Sequence, residues 1–507
     1  MASKPTSFDQ LPHDVLVELA AHLDIQDVLH LRQTSEQLRQ ASYDRGVWSS
    51  LYRRSHLPRP RGPYPPQTRE ELEDTLIRSF TVRNNLFTTP MKAPSFHTYD
   101  VGQETSARLV LVGSRYALTI DTSRTRITCR DLKQEAVLDA TASTLWQIED
   151  GTELRVFDLR HFDVMTYGGH KTTLVLVEQR EKDDRFLFRN YGPVRLDIFR
   201  LIESEPSGAG VHLENLCQHS LTLKNPQNPY INHRLSVRAS PSTLLAQWER
   251  EENTFLWSIE DLSKEPVKFT HSPIVPPSYI ACRTHLFSFL LSVHLNVTII
   301  AAAPLTEVFA QGSIHPTVRG MVRGHFSKIQ MLRDAVVDPE TGTTEVILSA
   351  LQTGQQIVIL RLRIPSKPTG HPQNNLLVDI QELMAVPFTS RSVEFISPSW
   401  TGSMRILLSR VYMHVRGQER VEREDTRPRF DIVEVVWDEE KHQARRSVSE
   451  DVSIPDEALA KMDAGGSLLL SFESENGSGK LVFDYPAYVD DAGRSKKRIL
   501  GVLDFAV

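Results

Sequence analysis

From about residue 90 onward, the chain is a succession of short apolar runs separated by Gly, Pro, Asp, Asn and Ser. Short runs bounded by turn-forming residues are typical of β-strands. Many short strands without intervening helices predict a sandwich, a barrel or a propeller, because a parallel α/β sheet needs a helix after each strand. The runs are 108–112, 154–159, 173–177, 195–201, 244–248, 254–259, 345–351, 357–362, 405–408, 432–437, 468–472 and 480–483.

Residues 286–305 contain no Asp, Glu, Lys or Arg and are long enough to span a membrane as a helix. Within this stretch, apolar side chains alternate with polar ones, from Phe287 and Ser288 to Val297 and Thr298. A period of two is typical of half-buried strands, and a spanning helix has no reason to adopt it. We therefore predict sheet here and no membrane segment. Since residues 1–8 also lack the apolar core of a signal peptide, we expect a cytoplasmic or nuclear protein.

Several predicted strands end in an apolar residue, then a ring or a long side chain, then an aspartate. This tag resembles the closing dipeptide of tryptophan–aspartate repeats, which form the blades of β-propellers. Residues 90–507 are long enough for seven such blades with long loops. We therefore predict a mainly β fold in which a seven-bladed β-propeller follows a small α-helical domain. The tags end at Asp131, Asp158, Asp438 and Asp484, with a looser version from Leu256 to Leu262.

The first 85 residues have helical periodicity. Leu11-Pro12 predicts a helix start, because proline suits a first turn, where its missing N–H would have no partner. Asp24 is the expected N-cap of a second helix. A third short helix is predicted to start near Thr34 or Ser35 and to end at Gly46. The apolar positions of these helices are Val15, Leu16, Leu19, Leu23, Val28, Leu29, Leu31, Leu38 and Ala41, followed by Trp48, Leu51 and Tyr52.

Five prolines within residues 58–66 exclude a helix there and predict a stiff connector. Beyond it, Thr68 and Glu71 have the spacing of a capping box, and an apolar stripe follows at Leu72, Leu76, Ile77 and Phe80. The predicted organisation is a helical domain at 8–57, the connector at 58–67, a linker helix at 68–89 and the β region at 90–507.

Residues 8–52 resemble an F-box. The matching features are the Leu11-Pro12 start with Asp14 nearby, the Leu23-Asp24 junction into the second helix, and the closing Trp48. Ala20 stands where the family often has a bulky aromatic residue, so we expect less contact area at that position. The alternative interpretation is a three-helix cap on the β region, since short amphipathic bundles are common.

The resemblance implies a partner, a Skp-type adaptor that links the F-box to a cullin and its RING subunit. The helices also have more apolar positions than one small core needs, and such a surplus favours a helical partner. The adaptor-binding residues predicted on this basis are Leu11, Pro12, Val15, Leu16, Leu19, Leu23, Val28, Leu29, Leu31 and Trp48.

Composition and the absence of known motifs argue against several classes of binding and catalytic site. A formal net charge of −6 and a pI of about 6.3 argue against a nucleic-acid partner. The three cysteines, Cys129, Cys217 and Cys282, lack zinc-ligand spacing, so we expect no metal or cofactor. Phosphate-loop, HExxH and GxSxG motifs are also missing. The pair Asp183-Asp184 and the arginine-rich stretch 416–429 are interpreted as solvated loops.

Two functions from different classes follow. The first is a non-catalytic substrate-recognition subunit of a Skp–cullin–F-box ubiquitin ligase, in which the F-box binds the adaptor and the β region binds a protein substrate. The sequence indicates neither the substrate nor its binding residues. The alternative is a propeller hydrolase or lyase with a helical cap, although the acidic and histidine residues show no common register. An F-box serving a non-ligase complex also stays open.

Overall fold

The computed structural model describes residues 8, 11–59, 62–88, 91–102, 105–112, 115–121, 123–131, 143–148, 152, 154–165, 171–181, 192–203, 211–223, 235–240, 242–248, 253–270, 277–352, 356–365, 376–377, 379–387, 392–399, 403–409, 430–438, 441, 443–449, 452, 455–457, 480–489 and 495–506. The predicted strand 468–472, the Asp183-Asp184 pair and the stretch 416–429 lie outside these residues.

Five helices form the N-terminal part: α1 (His13–Ala21), α2 (Ile25–Leu31), α3 (Glu36–Ser42), α4 (Arg45–Arg54) and α5 (Arg69–Phe87). Ser35 caps α3 by accepting a hydrogen bond from the backbone N–H of Leu38. The predicted capping box is confirmed, since Thr68 and Glu71 each accept from the other's backbone N–H.

The prediction that Gly46 ends the third helix is wrong. Helix α3 ends at Ser42, and Gly46 lies in the first turn of α4. There its N–H donates to Asp44 Oδ1 over 2.6 Å, so Asp44 is the N-cap of the next helix. An N-cap residue adopts an extended backbone, and this change at Asp44 separates the two helices.

The remaining described residues are mostly strands. The first sheet contains β2 (Thr105–Val112), β3 (Tyr116–Asp121), β4 (Arg126–Asp131) and β5 (Ser143–Gln147). The second contains β6 (Leu154–Met165), β7 (Lys171–Glu181), β8 (Gly192–Glu203) and β9 (Val211–Leu223). The third contains β10 (Leu235–Ala239), β11 (Thr243–Trp248), β12 (Asn253–Ser258) and β13 (Val267–Thr270).

The fourth sheet contains β14 (Ser278–Ala281), β15 (His285–Ser292), β16 (Val297–Pro304), β17 (Val318–Arg323) and β21 (Leu376–Leu377), with α6 (Leu305–Gln311) between β16 and β17. The fifth contains β18 (Phe326–Val337), β19 (Thr344–Gln352), β20 (Gln356–Ile364) and β22 (Asp379–Pro387). The sixth contains β23 (Ser392–Ser399), β24 (Ser403–Ser409), β25 (Phe430–Asp438) and β26 (Gln443–Ser449). The seventh joins β27 (Lys480–Val489), β28 (Ser495–Asp504) and β1 (Ser95–Gly102).

The chain order of the sheets matches their packing. The first strands of neighbouring sheets contact each other, as in the pairs β2 with β6, β6 with β10, and β14 with β18. Strand β1 pairs antiparallel with β28, so the two ends of the β region meet in one sheet. Closure of this kind removes exposed sheet edges and is typical of propellers. The mainly β, propeller-like fold behind small N-terminal helices is confirmed; the blade number stays a prediction.

Hydrophobic cores lie between successive sheets. One cluster, including Leu118 and Val175, joins the first and second sheets, and another, including Leu196 and Trp257, joins the second and third. Further clusters join the third with the fourth, the fourth with the fifth, and the fifth with the sixth. The second to fifth sheets therefore pack with both faces, and strands such as β3 and β20 are largely buried.

Two sequence expectations bear on this arrangement. Residues 286–305 form β15 and β16, paired from His285–Pro304 to Ser292–Val297, which confirms the predicted sheet. None of the helices in the described part of the chain is long and apolar enough to cross a membrane.

The aspartate tags predicted from the sequence lie at different places in their sheets. Asp131, Trp257 and Asp438 lie on the third strand of their sheets, whereas Asp158 lies on a first strand, where a closing tag is not expected.

Candidate functional site on the N-terminal helices

The predicted adaptor-binding residues divide by burial. Leu16, Val28 and Trp48 are buried in the helical core. A second group is half-buried along the edges of the bundle. The third group, Pro12, Val15 and Leu19, is exposed. The half-buried group is Leu11, Leu23, Leu29 and Leu31.

Trp48 is the centre of the helical core. Its side chain is fully buried, and its indole Nε1–H donates to the carbonyl of Ser42 over 2.8 Å, so the polar group of the ring is satisfied. The linker helix α5 adds Leu72 and Leu76 to the same cluster. Because α1 to α4 are too short to bury a large core by themselves, α5 completes it. The full cluster is Ala20, Ile25, Val28, Val47, Trp48, Leu51, Tyr52, Leu57, Leu72 and Leu76.

Ala20 belongs to this core and is buried. The expectation that a small residue at this position reduces the contact area for a partner is therefore wrong. The side chain points inward against its neighbours, so its size affects the packing of the bundle and not its surface.

An ionic network ties α5 to the other helices. The carboxylate of Glu73 binds both Arg32, the residue after α2, and Arg69, the latter over 2.9 Å. The Arg32 guanidinium also lies 4.3 Å from the ring centroid of Tyr43, within the range of a cation–π contact. The ends of α2 and α3 therefore meet α5 at Arg32 and Glu73, which fixes α5 against the bundle.

The connector before α5 is also held in place. Arg59 is buried and donates to the carbonyls of Tyr52 and Ser55. Burial lowers the pKa of this guanidinium to about 10. Pro58 contributes its carbonyl oxygen, which accepts from Ser79 Oγ over 2.9 Å. Pro58 and Arg59, at the start of the proline-rich stretch, are therefore packed between α4 and α5.

Helix α5 in turn contacts the sheets. Arg78 donates to both carboxylate oxygens of Asp504, over 3.1 and 3.0 Å. Asn85 donates to the carbonyl of Phe505 over 2.9 Å, and Arg83 pairs with the buried Glu434. These partners lie on or next to β28 and β25, so the helix connects the bundle to the sixth and seventh sheets.

One face of the bundle is apolar and exposed, and no other described part of the chain covers it. Phe8, Val15 and Leu19 are 53%, 42% and 40% exposed, and Pro12 is exposed between them. Pro12, Val15 and Leu19 follow one another at spacings of three and four residues, which places them on one side of α1, and Phe8 lies before the helix. We name these four residues the α1 stripe. Phe8 was missed from the sequence, although the same spacing extends to it.

No metal site accompanies this surface. In the described ranges no three His, Cys, Asp or Glu side chains are close enough to hold a metal ion. Burial raises the pKa of Cys129 to about 12 and that of Cys217 to about 11, so neither thiol is an activated nucleophile.

The comparison with known families agrees with treating the N-terminal helices and the β region as separate parts. Residues 8–54 match the family model described as F-box-like. Helices α1 to α4 are F-box-like. No curated protein matches the chain.

Solved structures resemble the chain only distantly. The WD40 domain of SCAP from fission yeast is 9% identical, with a TM-score of 0.33, over 81% of this chain and 98% of that chain. Oligopeptidase B from Leishmania major is 8% identical, with a TM-score of 0.29, over 90% of this chain and 60% of its own. A functionally unknown protein from Desulfotomaculum acetoxidans is 7% identical, with a TM-score of 0.28, over 70% and 88% of the two chains. Similarities at this level support no inference about function.

Proposed function

We propose that this protein is a substrate-recognition subunit of a Skp–cullin–F-box ubiquitin ligase. In this role the F-box-like helices bind a Skp-type adaptor, and through it a cullin, while the β region binds a protein substrate. The observation that carries the proposal is the α1 stripe: the F-box-like bundle still exposes an apolar face although α5 completes its core. The protein would supply proximity and orientation, and ubiquitin transfer would belong to other subunits.

The burial of the predicted contact residues sharpens this proposal. Pro12, Val15 and Leu19, together with Phe8, would contact the adaptor directly. The half-buried leucines would form the edges of that contact. Leu16, Val28 and Trp48 would act by holding the bundle in shape, because their side chains are not on the surface in this conformation.

The contacts of α5 support the proposed geometry. A ligase subunit must hold its substrate at a defined position relative to the adaptor, which requires a stiff connection. Here the connection is short and is held by contacts of Arg59, Glu73 and Arg78, the last with Asp504. We accordingly propose the division into an F-box domain at 8–57, a connector at 58–67, a linker helix at 68–89 and a substrate-recognition region at 90–507. We place its action in the cytoplasm or nucleus, without nucleic acid, membrane or cofactor.

Co-expression with a Skp-type adaptor, followed by size-exclusion chromatography, tests the proposal. The expected result is a stoichiometric complex. The double variant Val15→Glu/Leu19→Glu should lose it, because two charges would be desolvated in an apolar contact. Both positions are exposed, so the free energy of unfolding should change by less than about 0.5 kcal/mol each. Leu11→Ala with Pro12→Ala should also abolish the complex.

Met321→Glu is the matched control, since it places the same charge at an exposed apolar position of the β region. That variant should keep the adaptor. If the parent chain stays alone on the column, or if Val15→Glu/Leu19→Glu binds as well as the parent, the proposed adaptor contact is refuted. The helices would then be a cap on the β region.

A further inference from the structure

The fourth sheet carries a second apolar surface. Leu290 of β15, Ile299 of β16 and Met321 of β17 stand opposite one another in the strand register. Leu290 and Met321 are exposed, and Ile299 is half-buried. The adjacent turn between β15 and β16 adds Val293 and Leu295, also exposed. We name these five residues the β15–β17 patch.

The position of the β15–β17 patch on its sheet is informative. On the same face, Leu286 and Ala303 are buried against the third sheet. Toward the β15–β16 turn the face remains apolar but is no longer covered. Hairpin turns are normally built from polar residues and glycine, so exposed Val293 and Leu295 have no local structural reason. A contiguous exposed apolar surface of this kind marks an interaction site.

Two arginines flank the patch. Arg319 and Arg323 lie on β17, two positions before and after Met321, and both are exposed. Neither forms an ion pair among the described residues. The neighbouring strand β22 carries the exposed acids Asp379 and Glu382, and neither of these pairs with the arginines. At about 3.3 Å per residue, the two arginines are about 13 Å apart along the strand.

We propose that the β15–β17 patch binds an extended segment of the substrate protein in which an apolar residue has an Asp or Glu two positions away on each side. An extended chain shows alternate side chains on one face, so such a segment repeats the spacing of Arg319, Met321 and Arg323. The apolar residue covers Met321 and its neighbours, and the acids pair with the two arginines. This inference rests on the proposed function and names a substrate class for it.

The N-terminal helices leave this surface open. The contacts of α5 described above are with β25, β28 and the residue after β28, and Met91 reaches Ser449 of β26. All of these strands belong to the sixth and seventh sheets. A substrate segment on the fourth sheet and an adaptor on the α1 stripe would therefore use separate parts of the molecule.

The test uses the full chain, with and without a Skp-type adaptor, and two labelled peptides followed by fluorescence anisotropy. The acidic peptide has a central leucine with glutamate two positions away on each side, and glycine and serine elsewhere. The reference peptide has lysine in place of both glutamates. The acidic peptide should bind at least about five-fold more tightly than the reference peptide, because it forms two exposed ion pairs whose contributions add.

Variants make the test specific. Met321→Glu should weaken binding of the acidic peptide by about ten-fold or more, because a charge replaces the centre of the apolar contact. Val337→Glu, a matched change at an exposed apolar position of the fifth sheet, should leave binding unchanged. The double reversal Arg319→Glu/Arg323→Glu should exchange the preference, so that the lysine peptide binds more tightly.

Equal affinity for the two peptides, or no saturable binding of the acidic peptide up to about 1 mM, overturns the inference. A dimer in light scattering that Met321→Glu converts to a monomer also overturns it, since the patch would then bind a second copy of this chain. Adaptor binding is measured independently of peptide binding. If the adaptor complex forms but the acidic peptide does not bind, only the proposed substrate segment is refuted. If the peptide binds but no adaptor complex forms, only the proposed ligase function is refuted.

Discussion

The N-terminal helices and the fourth sheet each expose an apolar surface, but they assemble it differently. The α1 stripe comes from one helix and the turn before it, and its residues follow one another at helical spacing. The β15–β17 patch comes from three strands, and Leu290 meets Met321 only through the register of β16. The difference shows that a helical surface is encoded locally, whereas a sheet surface depends on strand pairing and on which neighbouring sheet covers it.

The two regions also differ in how their cores are shared. The helices have a main cluster centred on Trp48, completed by α5. The sheets have separate clusters, each shared by two neighbours. A core substitution in the helices should therefore affect the whole small bundle, whereas one in the sheets is supported from both sides.

Trp48→Ala tests this difference with the largest expected effect. Removing a fully buried tryptophan should lower the free energy of unfolding of the helical bundle by about 3–5 kcal/mol. Urea unfolding followed by circular dichroism would measure it. Val15→Ala, on the α1 stripe, is the control and should cost less than about 0.5 kcal/mol. Equal effects of the two substitutions would contradict the separation into core and surface.

His285 gives the stability of the β region a pH dependence. Burial lowers the pKa of this imidazole to about 4, below its usual value of about 6.5. Between these values the unfolded chain binds a proton that the folded chain does not. Stability should therefore be full above pH 6.5 and fall as the pH decreases, by about 2 kcal/mol at pH 5.

The matched variant is His285→Gln, which cannot titrate and can still form a hydrogen bond with Thr284, as Nδ1 does now over 2.9 Å. When the unfolding free energy is measured from pH 7.5 to 5, the variant should not show the loss of about 2 kcal/mol that we expect from His285. If parent and variant lose stability in parallel, other groups cause the pH dependence.

The smallest expected effect concerns the contact between α5 and the seventh sheet, which connects the two regions. Nη2 of Arg78 in α5 donates to both carboxylate oxygens of Asp504 at the end of β28, and Asp504 is buried. A double-mutant cycle with both residues changed to Ala should give a coupling energy of about 0.5–1 kcal/mol. Glu36 and Arg39, an exposed pair 3.7 Å apart on α3, should couple more weakly. Equal coupling energies in both cycles would mean that the Arg78–Asp504 pair is no stronger than a surface ion pair.

Much of the organisation was predictable from the sequence. The F-box-like helices, the capping box at Thr68 and the β15–β16 pair follow from patterns within a few residues of each other. Local patterns suffice there because caps and periodicity depend on neighbours in the chain. The sequence misplaces the end of α3, because Gly46 has the character of a helix breaker, whereas Asp44, two residues earlier, caps the next helix.

The site was only partly predictable. The sequence by itself determined which residues are apolar and which helix face they occupy, including the stripe through Pro12, Val15 and Leu19. Only the tertiary structure decided that Ala20, Val28 and Trp48 face inward, that α5 completes their core, and that Met321 joins Leu290 on an open surface. The reason is physical: periodicity is set by the local backbone, whereas burial is set by what packs against a residue from distant parts of the chain.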